Sequence, residues 1–398
     1  MTHDHALSRV PDPVTWPTGF RAHTGHGGLR ELGDDVSIVV SDRPATSAAM
    51  FTQSLFAGPA VVLSRVHASG RNLRAVTTLA QNANVATGCQ GEQNAAEVVR
   101  RVAGMAGVPE DEVLIGSTGV IGRPLPMPAL RAYFDATAGR GPAAFGARPL
   151  DVARAMMTTD TRPKTAVRTV GQARIVGIAK GVGMLEPNMA TMLAYLFTDA
   201  DLPPADLDNA LRTAVNRTFN CLSVDTDTST SDTVAVIANG AAGHVDPAEF
   251  SAALADLCLD LAQQMARDGE GATKLLRVTV ARARDHAQAK RIAKNVLNSP
   301  LVKAAVHGAD PNWGRVLMAI GKSTDDTDIT PDRVTVRFGD IEAYPEEPGA
   351  GTLDELTDVM RQDEVDIVIT LGTGTAEATV YGCDLSAEYI RVNADYTS

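Results

Sequence analysis

Two short apolar runs, residues 173–178 (Ala-Arg-Ile-Val-Gly-Ile) and 192–197 (Met-Leu-Ala-Tyr-Leu-Phe), flank the stretch Lys180-Gly-Val-Gly-Met-Leu-Glu-Pro-Asn-Met-Ala-Thr191. Both runs have the length and composition of strands. The stretch between them holds two glycines, a proline and an asparagine, which break regular structure. The chain must therefore leave one strand, cross an irregular segment and enter a second strand just after Thr191. A threonine opening a strand is ordinarily there for its β-propensity. This one also carries a hydroxyl directly after a small residue, Ala190. That hydroxyl is a weak nucleophile unless a base sits beside it. A cut just before Thr191 supplies such a base. The freed α-amine has a pKa of roughly 7.7–8.0, so it is partly unprotonated at neutral pH and takes the hydroxyl proton.

The rest of the chain is consistent with α/β or α+β layers. Further β-branched runs of strand length fall at 37–40, 233–237, 277–280, 334–338 and 365–369. Asp246-Pro247 marks a helix start. Phe250, Leu254, Leu257, Leu261 and Met265 follow at intervals of three or four, giving one buried face that ends near Asp268-Gly269. A second helix is expected from Pro204 to Arg217, and residues 137–149 read as a surface loop. At 398 residues about two domains are expected, and 44% hydrophobic residues suffice for their cores.

Composition removes several classes of function. A net charge of −12 without a Lys/Arg cluster argues against nucleic acid as a partner. The four cysteines form no CxxC pair, so zinc and disulfide frameworks are not expected. No run of about 18 apolar residues spans a membrane, and the polar start Met-Thr-His-Asp-His lacks the apolar core of a signal peptide. A cytoplasmic protein with reduced thiols is the expectation.

Several other segments carry groups suited to chemistry, each with a plainer use beside it. Ser117-Thr118-Gly119 follows a strand-like run, and N–H groups of such a turn either close a loop or face a developing oxyanion. Lys180 is either a solvated charge or a partner for a carboxylate. Glu270, in Asp268-Gly-Glu-Gly-Ala-Thr-Lys274, either lies beside a helix C-cap or holds an ammonium group. Thr158 and Thr159 either cap a turn or bind a carboxylate. Asp225-Thr-Asp-Thr-Ser-Thr-Ser-Asp232 imitates a calcium loop but has Thr230 where glycine and Val236 where glutamate are needed, so calcium binding is rejected. The polar segment from His307 to Arg315 receives no chemistry.

The segment Asn188-Met-Ala-Thr191-Met-Leu resembles the self-cleavage site of the ornithine acetyltransferase family. The resemblance covers essentially the whole chain after about residue 17. It includes Asn82-Ala-Asn-Val-Ala-Thr-Gly88, the Ser117 turn, Thr158-Thr-Asp-Thr, the Asp225 run, the Asp268 motif, the His307 segment and the ending Arg391-Val-Asn-Ala-Asp-Tyr-Thr-Ser398. It implies an α/β fold with stacked sheets and a second smaller domain. It implies a cytoplasmic precursor cut between Ala190 and Thr191 into an α chain, 1–190, and a β chain, 191–398, which stay together and pair into an α2β2 assembly. Thr191 would be the nucleophile, and Thr118 and Gly119 would stabilise the oxyanion. Lys180, Glu270, Asn393, Ser398 and one of Thr158 and Thr159 would join Thr191 in binding substrate. Ser398 stands where threonine is more usual but keeps a hydroxyl. The implied reaction moves an acetyl group from N-acetylornithine to glutamate, with no metal and no organic cofactor. Leu185-Glu186 departs from the arginine-pathway form of the segment. It is similar to a subgroup found with secondary-metabolite clusters in actinomycetes, which leaves another acetylated amino acid, or an amidohydrolase, as alternatives.

Overall fold

The computed structural model describes residues 14–186 and 192–395. In chain order the strands are β1 (Phe20–Gly25), β2 (Val36–Ser41), β3 (Thr46–Phe51), β4 (Ala75–Leu79) and β5 (Val113–Ser117), then β6 (Lys164–Val170), β7 (Ala173–Lys180), β8 (Leu193–Asp201) and β9 (Thr233–His244). The last five are β10 (Leu275–Ala283), β11 (Thr335–Phe338), β12 (Ile341–Tyr344), β13 (Glu364–Thr370) and β14 (Ala376–Cys383). They form three sheets, ordered β1-β2-β4-β5, β3-β9-β8-β7-β6 and β12-β11-β13-β10-β14. Most neighbours are antiparallel, but β4–β5, β8–β9 and β10–β13 run parallel.

The first two sheets stack face to face, and β8 shows why. Leu193, Tyr195 and Phe197 point toward Val39, Val76 and Leu114 of the first sheet. The alternate residues Ala194 and Leu196 point the other way, onto the helices Pro204–Arg217 and Pro247–Arg267. Successive side chains of a strand face opposite sides, so a strand buried on both faces must be apolar throughout. The outer face of the first sheet is covered by the helices Gly88–Ala106 and Met127–Ala138. The result is four layers: helices, sheet, sheet, helices. The third sheet, with the helices His286–Leu297, Pro300–His307, Trp313–Gly321 and Ala350–Met360, makes a second, smaller unit. Its Val278 and Val280 join the same apolar cluster as Leu257 and Leu261, so the seam between the units is a continuous core. This is the stacked α/β arrangement that the resemblance implies.

The long helix forms where its sequence signals lie. The Asp246 carboxylate accepts the Ala248 and Glu249 N–H groups, each at 2.9 Å, and all five periodic residues are buried. The other expected helix runs from Pro204 to Arg217 as read. Residues 137–149 are mostly connection, with one short 3-10 turn at Gly141–Ala144.

One feature of the register positions the site. Lys180 at the end of β7 stands opposite Leu193 at the start of β8. The chain therefore leaves the second sheet and re-enters it at the same end. The neighbouring β9 runs parallel to β8, so its start lies at that end too.

Candidate active site

The turn after β5 is held from beneath by the segment after β4. Thr118 N–H donates to Leu79 O at 3.0 Å, Val120 N–H to Gln81 O at 3.1 Å, and the Ser117 hydroxyl to Asn82 O at 2.6 Å. Gly119 between them has φ +128°, and a Cβ there would lie 2.2 Å from the Gln81 carbonyl carbon. Only glycine fits this turn. Among the described residues the Gly119 N–H donates to no acceptor.

Lys180 reaches this turn from the end of β7. It is 9% exposed, and its ammonium donates to Thr118 Oγ1 at 3.3 Å. Burial lowers its pKa, with Lys164 adding to the effect, while Asp160, Glu270 and Asp232 oppose it.

Glu270 lies across from these groups, just after the long helix. Its N–H donates to Val182 O at 2.9 Å. Its carboxylate accepts the Thr159 hydroxyl on Oε1 and Asn393 Nδ2 on Oε2, both at 2.8 Å. A Cβ on Gly183 would come within 2.4 Å of Glu270 Oε2, so the glycine makes room for this approach. Asn393 is carried by the helix Ala387–Asp395, which brings the C-terminal segment to the site.

Thr118, Gly119, Thr158, Thr159, Lys180, Glu270 and Asn393 all line one cavity of about 110 Å³. Ala190, Thr191 and Ser398 lie outside the described residues. Met184 and Met192, which flank residues 187–191, both line the same cavity. An ammonium group, a carboxylate and unused donors around a small cavity suit a small molecule that carries both charges.

The sequence model of the ArgJ family matches residues 21–398. The chain belongs to the ArgJ family. It is 51% identical over 404 aligned residues to arginine biosynthesis bifunctional protein ArgJ of Rhodococcoides fascians, covering 99% of this chain and 98% of that protein. It is 53% identical over 388 aligned residues to glutamate N-acetyltransferase Oat2 of Streptomyces clavuligerus, covering 96% and 98%. Among solved structures, arginine biosynthesis bifunctional protein ArgJ from Bacillus halodurans matches at 40% identity with a TM-score of 0.47, covering 50% of this chain and 96% of that one. The family expected from the sequence motifs is thus the family found. Among the described residues no helix is long and apolar enough to cross a membrane.

Beneath the cavity of this ArgJ-family chain lies a buried charge network that sequence reasoning missed. Lys164 Nζ bridges Asp160 Oδ1 and Asp268 Oδ2, each at 2.7 Å. Asp160 also accepts the Gly181 N–H at 2.9 Å and the Thr158 N–H at 3.1 Å, and its Oδ2 lies 3.9 Å from Lys180 Nζ. Asp268 accepts the Thr161 hydroxyl and the N–H groups of Thr161 and Arg162. Burial opposes ionisation of Asp160, but the Lys180 and Lys164 charges outweigh it and hold the carboxyl at about 2. The one signal available was an acidic residue inside a hydroxyl cluster, Thr158-Thr-Asp-Thr.

The Asp225 run also has a use that the calcium comparison did not anticipate. Asp225 accepts the N–H of Met184 at 2.6 Å and of Leu185 at 2.7 Å. It thus fixes the backbone that leads toward residue 187, and Ser229 through Asp232 line the cavity. Met184 itself has φ +48°, an uncommon conformation for a side chain of its size.

Neither Leu185 nor Glu186 lines the cavity. Glu186 points to the seam between the units, where it accepts Asn298 Nδ2 at 2.6 Å and the Ser223 hydroxyl at 3.0 Å. Lys294 Nζ stands 3.5 Å from its other oxygen. The departure at 185–186 therefore bears on how the segment is anchored.

Proposed function

We propose that this chain is a self-cleaving acetyltransferase that moves an acetyl group from N-acetylornithine to glutamate through an acyl-enzyme on Thr191. Membership of the ArgJ family makes it an acyltransferase of amino-acid biosynthesis. The observation that carries the finer reading is the convergence of Thr118, Gly119, Lys180, Glu270 and Asn393 on one cavity bordered by Met184 and Met192.

In maturation the Thr191 hydroxyl adds to the Ala190 carbonyl. The peptide C–N bond breaks, an ester forms, and water hydrolyses it. The product chains are 1–190 and 191–398. The sheet order β3-β9-β8-β7-β6 then interleaves them, because β8 and β9 belong to the second chain and are inserted between β3 and β7 of the first. Backbone ladders on both sides explain why the two chains would stay together, and the α2β2 pairing would be built from this unit in the cytoplasm.

In transfer the Thr191 amine takes the hydroxyl proton as the oxygen adds to the acetyl carbonyl. The Thr118 O–H and the unused Gly119 N–H stabilise the oxyanion. The amide C–N bond breaks, the proton passes to the leaving amine, and ornithine departs. Lys180 pairs with the substrate carboxylate and Glu270 with its ammonium. Glutamate enters the same site, and its amine attacks the ester to give N-acetylglutamate and restore Thr191.

Active protein should run on a denaturing gel as two fragments of nearly equal size, the second beginning Thr-Met-Leu-Ala. Thr191→Ala should remain one chain without acetyl transfer. Mature enzyme given N-acetylornithine alone should gain about 42 Da on the second fragment, one acetyl in place of one hydrogen, and lose it when glutamate is added. A single band in active protein would sink the cleavage. An acetyl group lost as acetate, equally fast without glutamate, would point to an amidohydrolase.

A further inference from the structure

The contact between Lys180 and Thr118 has a direction. An ammonium group has three donors and no acceptor, so the Thr118 oxygen must accept in it. The Thr118 hydrogen is then free, and among the described residues it has no other acceptor. A neutral Lys180 amine would offer a lone pair instead, and the Thr118 O–H would turn toward it. The hydroxyl therefore faces the cavity as a donor only while Lys180 is charged. Burial works against that charge.

Asp160 is placed to offset the burial. It does not line the cavity. Its Oδ1 is occupied by Lys164 and the Gly181 N–H, and its Oδ2 by the Thr158 N–H while facing Lys180 at 3.9 Å. The carboxylate thus fixes the backbone of Gly181, next to the lysine, and of Thr158, and supplies the nearest negative charge. Lys164 and Asp268 lock it from behind.

We propose that Asp160 is a positioning residue for acetyl transfer: it holds the Lys180 ammonium so that it donates to Thr118 Oγ1, which turns the Thr118 O–H into the cavity as an oxyanion donor. The inference rests on the acetyl-transfer reading above. The charged groups facing Lys180 are Asp160, Lys164, Glu270 and Asp232. Removing the Asp160 charge lowers the pH at which Lys180 loses its proton, and removing the Lys164 charge raises it.

The test measures kcat/KM for acetylation by N-acetylornithine against pH, counted per cleaved chain, in wild type, Asp160→Asn and Lys164→Met. In Asp160→Asn the rate at pH 8 should fall roughly tenfold to a hundredfold, short of the full loss of an oxyanion donor. The basic limb of the profile should move down by about one unit or more. In Lys164→Met the limb should move up. Loss of packing alone would lower rates in both variants without moving their limbs in opposite directions. Wild-type rate and an unmoved limb in Asp160→Asn would overturn the proposal. If Asp160→Asn does not fold, Lys164→Met decides, and a limb that stays or moves down is then the overturning result. A wild-type enzyme that transfers no acetyl group sinks the underlying reading and the inference with it. An active wild type with an indifferent Asp160→Asn sinks the inference alone.

Discussion

Lysines are buried in two regions of this molecule, and they are used differently. At the seam between the stacked sheets and the smaller unit, Lys303 is 5% exposed and donates to Val224 O at 2.9 Å and Cys383 O at 2.6 Å. Within the smaller unit, Lys274 donates to Val306 O at 2.7 Å and Met360 O at 2.6 Å, carbonyls of the last turns of two helices. Helix C-termini carry partial negative charge, so the Lys274 ammonium joins two helix ends that repel each other, and Lys303 ties together the two carbonyls it meets. At the cavity, Lys180 is 9% exposed and reaches one hydroxyl at 3.3 Å, with its nearest carboxylate at 3.9 Å. Lys303 and Lys180 are buried to nearly the same degree, and Lys274 is half-buried. What differs is saturation: Lys303 and Lys274 meet close carbonyls, whereas Lys180 keeps donors facing the cavity. A buried cation with its donors filled stabilises the fold. One with donors left over is set for a ligand.

The strongest way to break this comparison is to make the same substitution in both places. Lys180→Met should lower acetyl transfer by about a hundredfold or more, the scale of a lost charge-stabilising donor in an active site, with little change in melting temperature. Lys303→Met should do the opposite. It leaves the Val224 and Cys383 carbonyls unpaired, at about 1–3 kcal/mol for each, offset in part because no ammonium group is buried any longer. Its melting temperature should fall by several degrees while activity per folded molecule stays near wild type. Thermal melts and initial rates on the two variants read this directly. If Lys303→Met lost activity without losing stability, saturation would not separate the two roles.

A smaller effect is expected at Glu270. Its two oxygens already accept Thr159 and Asn393, and the residue is half-buried. Glu270→Gln keeps the shape and removes the charge that would pair with a substrate ammonium. A hydrogen bond to a charged group is worth about 1.5–3 kcal/mol, so KM for donor and acceptor should rise roughly tenfold to a hundredfold. Gel-scored maturation should change less. An unchanged KM for both amino acids would remove Glu270 from substrate binding and leave it as a brace for the C-terminal helix.

How far the sequence could be read depended on whether a feature was local. The helix Pro247–Arg267 is legible because its cap, its proline and its apolar spacing lie within 21 residues. The strands β7 and β8 are legible because a strand buried on both faces needs an apolar run, and β13 because its alternate residues Val365, Ile367 and Ile369 form one buried β-branched face. The helix Gly88–Ala106 is not, since it starts on a glycine and Thr87 makes no side-chain cap. Nor is β4, whose Ala-Val-Thr-Thr-Leu shows no clear alternation. In the site, the hydroxyls and charges of the quoted motifs were legible as a family pattern. The Lys164–Asp268 pair was not, because its members are 104 residues apart and Lys164 lies in none of the quoted motifs. The use of Asp225 was not legible either, although calcium binding was rejected for its run. Its spacing suggested a cation loop, whereas both its oxygens accept backbone N–H groups from a segment about forty residues away.

The finest distinction is between the neighbours Thr158 and Thr159, which the sequence left open as substrate contacts. Both line the cavity. The Thr159 hydroxyl donates to Glu270 Oε1 at 2.8 Å, so it is already engaged. Thr158 is held through its backbone, whose N–H donates to Asp160 Oδ2 at 3.1 Å, and its hydroxyl has no partner among the described residues. By the same saturation argument that separates Lys180 from Lys303, Thr158 is the one left to meet a ligand. Thr158→Val, which keeps the shape and removes the hydroxyl, should raise KM for the amino-acid substrate by about 0.5–1.5 kcal/mol, a few-fold to about tenfold. Thr159→Val should act only through Glu270, with a smaller rise. Steady-state KM values for both variants, on donor and acceptor, decide the order. If Thr159→Val had the larger effect, Thr159 would be the direct contact, and an unfilled hydrogen-bonding group would not be a reliable guide to the substrate-facing side of this cavity.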